Sequence, residues 1–124
     1  MNDPVLIDTC ILIDFFKNNK KVINSLEDIN IPCINSIIEM EILQGARNKY
    51  ELEKIGQKLS NFYRIQLNQE VLNNATKLIK QYTLSHDLFL PDAVIAAHSK
   101  FYNIRLYTYN KKDFKYINGL TFYN

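Results

Sequence analysis

The chain has 124 residues, 47% of them hydrophobic, and a formal net charge of +2. That length is near the commonest for one compact domain, and the apolar content is too high for a disordered chain. No apolar run approaches the roughly 20 residues that span a bilayer, and Met1-Asn2-Asp3-Pro4 lacks the basic region of a secretory signal.

A single domain over residues 1–124 is expected, since three glycines and three prolines mark no linker. Cys10 and Cys33 lie in or beside apolar runs and read as buried, reduced thiols, which points to a cytoplasmic location and no membrane association.

Residues 4–8 read as a short buried strand through Val5, Leu6 and Ile7. Ile11, Leu12, Phe15 and Phe16 follow at helical spacing, and 31–34 suggests a second strand with Pro32 near its start. Ser36-Ile37-Ile38-Glu39 matches a capping box, with Ser36 as cap and Glu39 reaching back, for a helix running to Gly45. Leu52, Ile55, Leu59 and Phe62 form another helical stripe. Arg64–Leu67 alternates like a strand. Val71, Leu72, Ala75, Leu78, Ile79 and Tyr82 define a further amphipathic helix. Pro91 suits the first turn of a helix over 91–101, 104–107 reads as a strand, and 120–123 as a last one. Strands alternating with helices imply parallel βαβ units and an α/β fold.

Four acids stand beside apolar segments: Asp8 after Val5-Leu6-Ile7, Glu41 between Ile37-Ile38 and Ile42-Leu43, Asp92 before Ala93-Val94-Ile95, and Asp113 before Phe114. A carboxylate next to a core is costly unless a positive group compensates. One or two hard divalent cations, which prefer oxygen ligands, would do so for all four. Setting these four aside leaves 9 acids against 15 bases, a balance that suits a polyanionic substrate. Thr9 reads either as a group bonding a neighbouring carboxylate or a phosphate or as the cap of the next helix, Thr108 and Asn110 as supporting polar groups, and Arg47 as a candidate for phosphate contact, for neutralising the acids or for a plain surface position. Asp14 reads as peripheral, six residues after Asp8. His86 and His98 have no partner at metal-ligand spacing and read as structural or surface residues.

The segments Leu6-Ile7-Asp8-Thr9-Cys10-Ile11-Leu12-Ile13-Asp14, Glu41–Arg47, Pro91–Ala97 and Thr108–Phe114, in that order, resemble the PIN-domain nucleases, especially the VapC-type toxins of bacterial toxin–antitoxin pairs. The resemblance implies a three-layer α/β sandwich with a central, mostly parallel sheet. It implies Asp8, Glu41, Asp92 and Asp113 as catalytic, metal-holding acids for Mg²⁺ or Mn²⁺. It further implies RNA as substrate, a 5′-phosphate and a 3′-hydroxyl as products, a cognate antitoxin protein and a homodimer. Cys10 stands where Asn or Ser is common in that family.

Two rivals remain at this stage. A phosphatase of the haloacid-dehalogenase type, with an aspartyl nucleophile, would carry a second Asp two residues after the first, where Cys10 stands. A PIN-fold module that binds RNA or a partner without cutting would not need all four acids.

Overall fold

The computed structural model describes residues 3–124. Its elements are β1 (Pro4–Ile7), α1 (Thr9–Phe16), α2 (Lys20–Glu27), β2 (Ile31–Ile34), α3 (Ser36–Gln44), α4 (Lys49–Leu59), β3 (Tyr63–Arg64), α5 (Gln69–His86), α6 (Leu90–Phe101) and β4 (Arg105–Tyr107). A 3-10 turn, Lys111–Asp113, follows β4. The sheet runs β3-β2-β1-β4 with every pairing parallel. Six helices flank it, the expected α/β sandwich with a PIN-like layout.

Parallel strands are covered on both faces, so they read as continuous apolar runs rather than alternating ones. Val5, Leu6 and Ile7 of β1 are all essentially inaccessible, as are Ile34 of β2 and Leu106 of β4. Ala93, Ala96 and Ala97 lie in the buried stretch of α6, whose small side chains allow close packing; its main helical neighbour is α5. No helix among the described residues is long and apolar enough to cross a membrane.

Several expectations need correction. The cap of α3 is Asn35, not Ser36: its Oδ1 accepts from the Ile38 N–H at 2.9 Å. Glu39 makes no capping box and instead pairs with Arg64, bonding Nη2 at 2.8 Å. The proposed strand 64–67 shrinks to Tyr63–Arg64, because only Cys33 and Ile34 are there to pair with. Segment 120–123 contributes one parallel bridge, Leu106 to Phe122, and not a strand. Helix α2 was not foreseen; Asn19 caps it and Val22 and Leu26 are its buried positions.

Asn35 is also buried, and its Nδ2 lies 3.0 Å from Nδ1 of His98. Its oxygen serves the helix, so the amide N–H donates and the imidazole Nδ1 accepts. Burial lowers the His98 pKa, against a contact with the Gln66 backbone, which keeps the ring neutral. One side chain thus caps α3 and ties it to α6. Asn35→Ala should cost roughly 2–4 kcal/mol, a lost cap plus an unpaired buried ring nitrogen. Asn48→Ala, which removes a cap alone, should cost about 1 kcal/mol. Equal losses in urea unfolding would refute the double role of Asn35.

Candidate active site

All strands being parallel, their carboxyl ends share one edge. Leaving β1 the chain reaches β2 on one side; leaving β3 it returns to β4 on the other. The strand order therefore reverses between β1 and β4, where open α/β sheets bind ligands. Asp8 follows β1 there, its N–H bonding the Tyr107 carbonyl at 3.0 Å, and Thr108 follows β4.

Asp8 is 6% exposed. It caps α1, its Oδ1 accepting from the Thr9 N–H at 2.8 Å, while Oδ2 accepts from the Thr108 hydroxyl at 2.7 Å. Thr108 Oγ1 in turn accepts from the Asn110 N–H at 3.0 Å. The Thr9 hydroxyl donates to Glu41 Oε1 at 2.8 Å and so joins α1 to α3. Thr9 therefore orients a carboxylate and leaves the capping to Asp8. Asp92 lies in the first turn of α6, two residues after Leu90, and Asp113 on the exposed 3-10 turn after β4.

The Asp92 carboxyl is pushed up to about 6, first by burial and then by the charges of Asp8, Glu41 and Asp113. All four predicted acids thus lie within electrostatic reach of one point. Glu41 is also raised, by burial and by Asp8, against the opposing Thr9 hydrogen bond. Among the described residues the ion pairs are Arg47–Glu51, Arg64–Glu39 and Arg105–Asp3, and none involves the four acids. Arg47 is held by Glu51, with 84% of its side chain exposed, a contact that fits the plain surface position.

Three residues near the site had not been singled out for it. Cys10 Sγ lies 3.7 Å from Asp8 Oδ2 and 3.6 Å from Thr108 Oγ1. Burial is the largest influence on its thiol and raises the pKa, which favours the protonated form. The Tyr109 hydroxyl donates to Asp14 Oδ2 at 2.8 Å. The Tyr116 phenol is raised by burial and by Asp92 and Asp113. Tyr116 had no signal in the sequence, since nothing distinguishes it from seven other tyrosines.

The donor set is all oxygen, the chemistry of a site for a hard cation. Among the described residues no group of three or more His, Cys, Asp or Glu forms a ready metal cluster.

The PIN domain family model matches residues 5–120. A toxin-antitoxin complex from Klebsiella pneumoniae contains a chain 31% identical, with a TM-score of 0.78, covering 94% of this chain and 95% of that one. VapBC2 from Rickettsia felis, solved bound to a DNA fragment from its promoter, gives 24% identity and a TM-score of 0.80 over 98% of each chain. VapBC-1 from nontypeable Haemophilus influenzae gives 21% and 0.81, over 98% of this chain and 97% of that one. The latter two likenesses speak to the fold. Comparison with curated protein sequences gives no significant match. Fold and acid arrangement define an α/β protein with a carboxylate site at the sheet's switch point. The chain belongs to the PIN domain family.

A raised Asp92 has a stability consequence. Its folded pKa lies above the unfolded value near 3.8, so the folded state holds the proton more tightly. The stability that Asp92 contributes to the metal-free protein is full below about pH 4 and is lost as pH rises through about 6. Asp92→Asn should therefore be more stable than wild type at pH 7.5 in EDTA, by on the order of 1 kcal/mol once solvent screening is allowed for. At pH 4 the difference should vanish. Thermal unfolding at both pH values checks this; an equal difference at each would refute it.

Proposed function

We propose that this protein is a metal-dependent endoribonuclease, the toxin of a toxin–antitoxin pair. The observation that carries the reading is the meeting of Asp8, Glu41 and Asp113 at Asp92, with no protein cation among them. PIN domains are generally nucleases that use divalent metals such as Mg²⁺.

Asp8, Glu41, Asp92 and Asp113 would hold Mg²⁺ or Mn²⁺. When bound, such an ion polarises a phosphodiester and lowers the pKa of a water. The chain's own groups prepare the site. Thr108 and the Thr9 N–H fix both oxygens of Asp8, and the Thr9 hydroxyl fixes Glu41. Asp92, protonated below about pH 6 in the metal-free protein, must lose its proton to serve as a ligand. Cation binding should therefore release protons and weaken as pH falls through 6. Cys10, at the position of a haloacid-dehalogenase second Asp, has a raised pKa and offers no acid there, which disfavours the phosphatase.

An antitoxin partner is supported by the toxin–antitoxin and VapBC complexes among the similar structures. A groove of about 610 Å³ also runs from Glu41 past Ile13, Phe16, Ile42, Tyr50 and Ile55. Its apolar walls suit a partner helix, and Glu41 in its lining suits an Arg or Lys carried by that partner. A homodimer and a cytoplasmic location complete the reading.

Labelled RNA incubated with Mn²⁺ should be cut, and EDTA should stop the cutting. Asp8→Asn, Glu41→Gln and Asp92→Asn should each lower cleavage on the order of 100-fold or more while the fold persists. Arg47→Ala and Glu39→Ala should stay within roughly threefold of wild type in cleavage with the fold intact, since each ion pair is largely solvated. Phosphate release from a small monoester with RNA left intact would overturn the nuclease in favour of a phosphatase.

A further inference from the structure

A cavity of about 260 Å³ opens between the end of α5 and the start of α6, lined by His86, Asp87, Phe89, Asp92, Asp113 and Tyr116 among others. It therefore shares two walls with the acid cluster. Its size falls below the roughly 300–1,000 Å³ of sites that enclose drug-sized ligands. It suits one planar ring system rather than a whole nucleotide.

The cavity is aromatic. His86 and Tyr116 stack with ring centroids 4.0 Å apart and planes 15° apart. Tyr82 meets both edge-on, at 5.6 Å from His86 and 4.8 Å from Tyr116, and holds the pair in place. Phe89 is 70% exposed at the N-cap position of α6, where it makes no side-chain capping bond. The Tyr116 hydroxyl is buried and has no hydrogen-bond partner among the described residues. A buried, unsatisfied hydroxyl is destabilising and calls for an explanation.

Charge narrows the occupant. Asp87, Asp92 and Asp113 supply three carboxylates to the lining, and no Lys or Arg contributes. Phosphate would be repelled there wherever no cation lies between. A neutral planar ring would stack on the aromatic groups, and its amino edge could donate to a carboxylate, as cytosine does to Asp or Glu in nucleic-acid complexes. Asp87 is held at the C-cap of α5 in a left-handed conformation, φ 52°. Gly or Asn usually occupies that place, and an Asp adds an acceptor to the cavity.

We propose that this cavity receives one unpaired nucleobase of the RNA, flanking the phosphodiester presented to the four acids. The substrate is then single-stranded where it is read, because a base can enter only after leaving its stack. Phe89 and the face of His86 not stacked on Tyr116 provide the stacking surfaces, and Asp87 meets the polar edge. The proposal rests on the ribonuclease reading for the position of the cut, and on the cavity alone for base binding.

The test uses short unpaired RNA containing 2-aminopurine, with phosphorothioate linkages that resist cleavage, in Mn²⁺. Stacking in the cavity should quench the fluorescence. Combined Phe89→Ala and His86→Ala should abolish the quench and weaken binding roughly 5- to 150-fold, the range of one lost base stack. Phe89→Trp should keep the quench, and a complementary strand should remove it. Thermal unfolding of each variant guards against simple misfolding. An unquenched wild type, or a double variant that binds and quenches like wild type, overturns the proposal. So does loss of Mn²⁺ affinity in the double variant with quenching intact, which would make the cavity a cation site. Ordinary RNA is assayed alongside. Quenching without cleavage would sink the ribonuclease reading and leave the base cavity standing, whereas cleavage without quenching would sink the cavity alone.

Discussion

The pairing of β1 with β4 is the constraint on which the site depends. Leu6 opposite Leu106 and Ile7 opposite Tyr107 set a register in which both strands end together. The next residue on each is then polar, Asp8 on one side and Thr108 on the other, and the two meet at 2.7 Å. A slip of one residue would turn the apolar sets away from their partners, and it would also separate the first carboxylate from its donor. Core packing therefore specifies the site's geometry: the buried face that stabilises the sheet is the same feature that positions Asp8.

The consequence is a site under electrostatic tension. Asp8 is relieved by two donors and Glu41 by one, whereas Asp92 is raised by its own burial and by three carboxylates. The basic side chains that could relieve it are engaged elsewhere or face solvent; Arg47 and Arg64 each hold a glutamate outside the cluster. Such an arrangement costs stability in the metal-free protein and leaves the acids free for a cation. Perturbed carboxylates gathered at a cleft are characteristic of functional sites, though structural networks can also produce them. Here the absence of an ion pair to the four acids among the described residues favours function.

Legibility in the sequence followed the strength of the local signal. β1 could be read because three consecutive buried aliphatics leave little alternative, and α6 because Pro91 and the alanine-rich run mark its start and its close packing. The four acids could be read because each interrupts or ends an apolar stretch. α2 escaped because Lys20–Glu27 is mostly polar and shows only Val22 and Leu26 to the core. The cap of α3 was misplaced by one residue because Asn35 and Ser36 are both good caps; burial beside His98 decides for Asn35, and no local pattern reveals it. Arg47 stayed open between its readings for a related reason. Its nearness in sequence to Glu41 says nothing of Glu51, which lies four residues further along and takes the guanidinium at 2.7 Å. The cavity around Tyr116 joins α5, α6 and the chain after β4, a juxtaposition only the fold supplies.

Capping and catalysis converge on Asp8, and the other helix starts clarify why that matters. Helices α2, α3, α4 and α5 are all capped by asparagine: Asn19, Asn35, Asn48 and Asn68. Asn and Asp cap about equally well. The chain thus uses the neutral residue at four starts and the charged one at α1, where the carboxylate meets the acid cluster. Capping alone does not require the charge of Asp8, and a neutral amide there would lessen the repulsion felt by Asp92. Retaining a charge that raises the free energy of the metal-free fold has a physical rationale only if something binds to it. That asymmetry separates the two duties of one side chain: the cap belongs to its shape and acceptor oxygen, and the negative charge belongs to the cation that Asp8 shares with Glu41, Asp92 and Asp113 in the proposed mechanism.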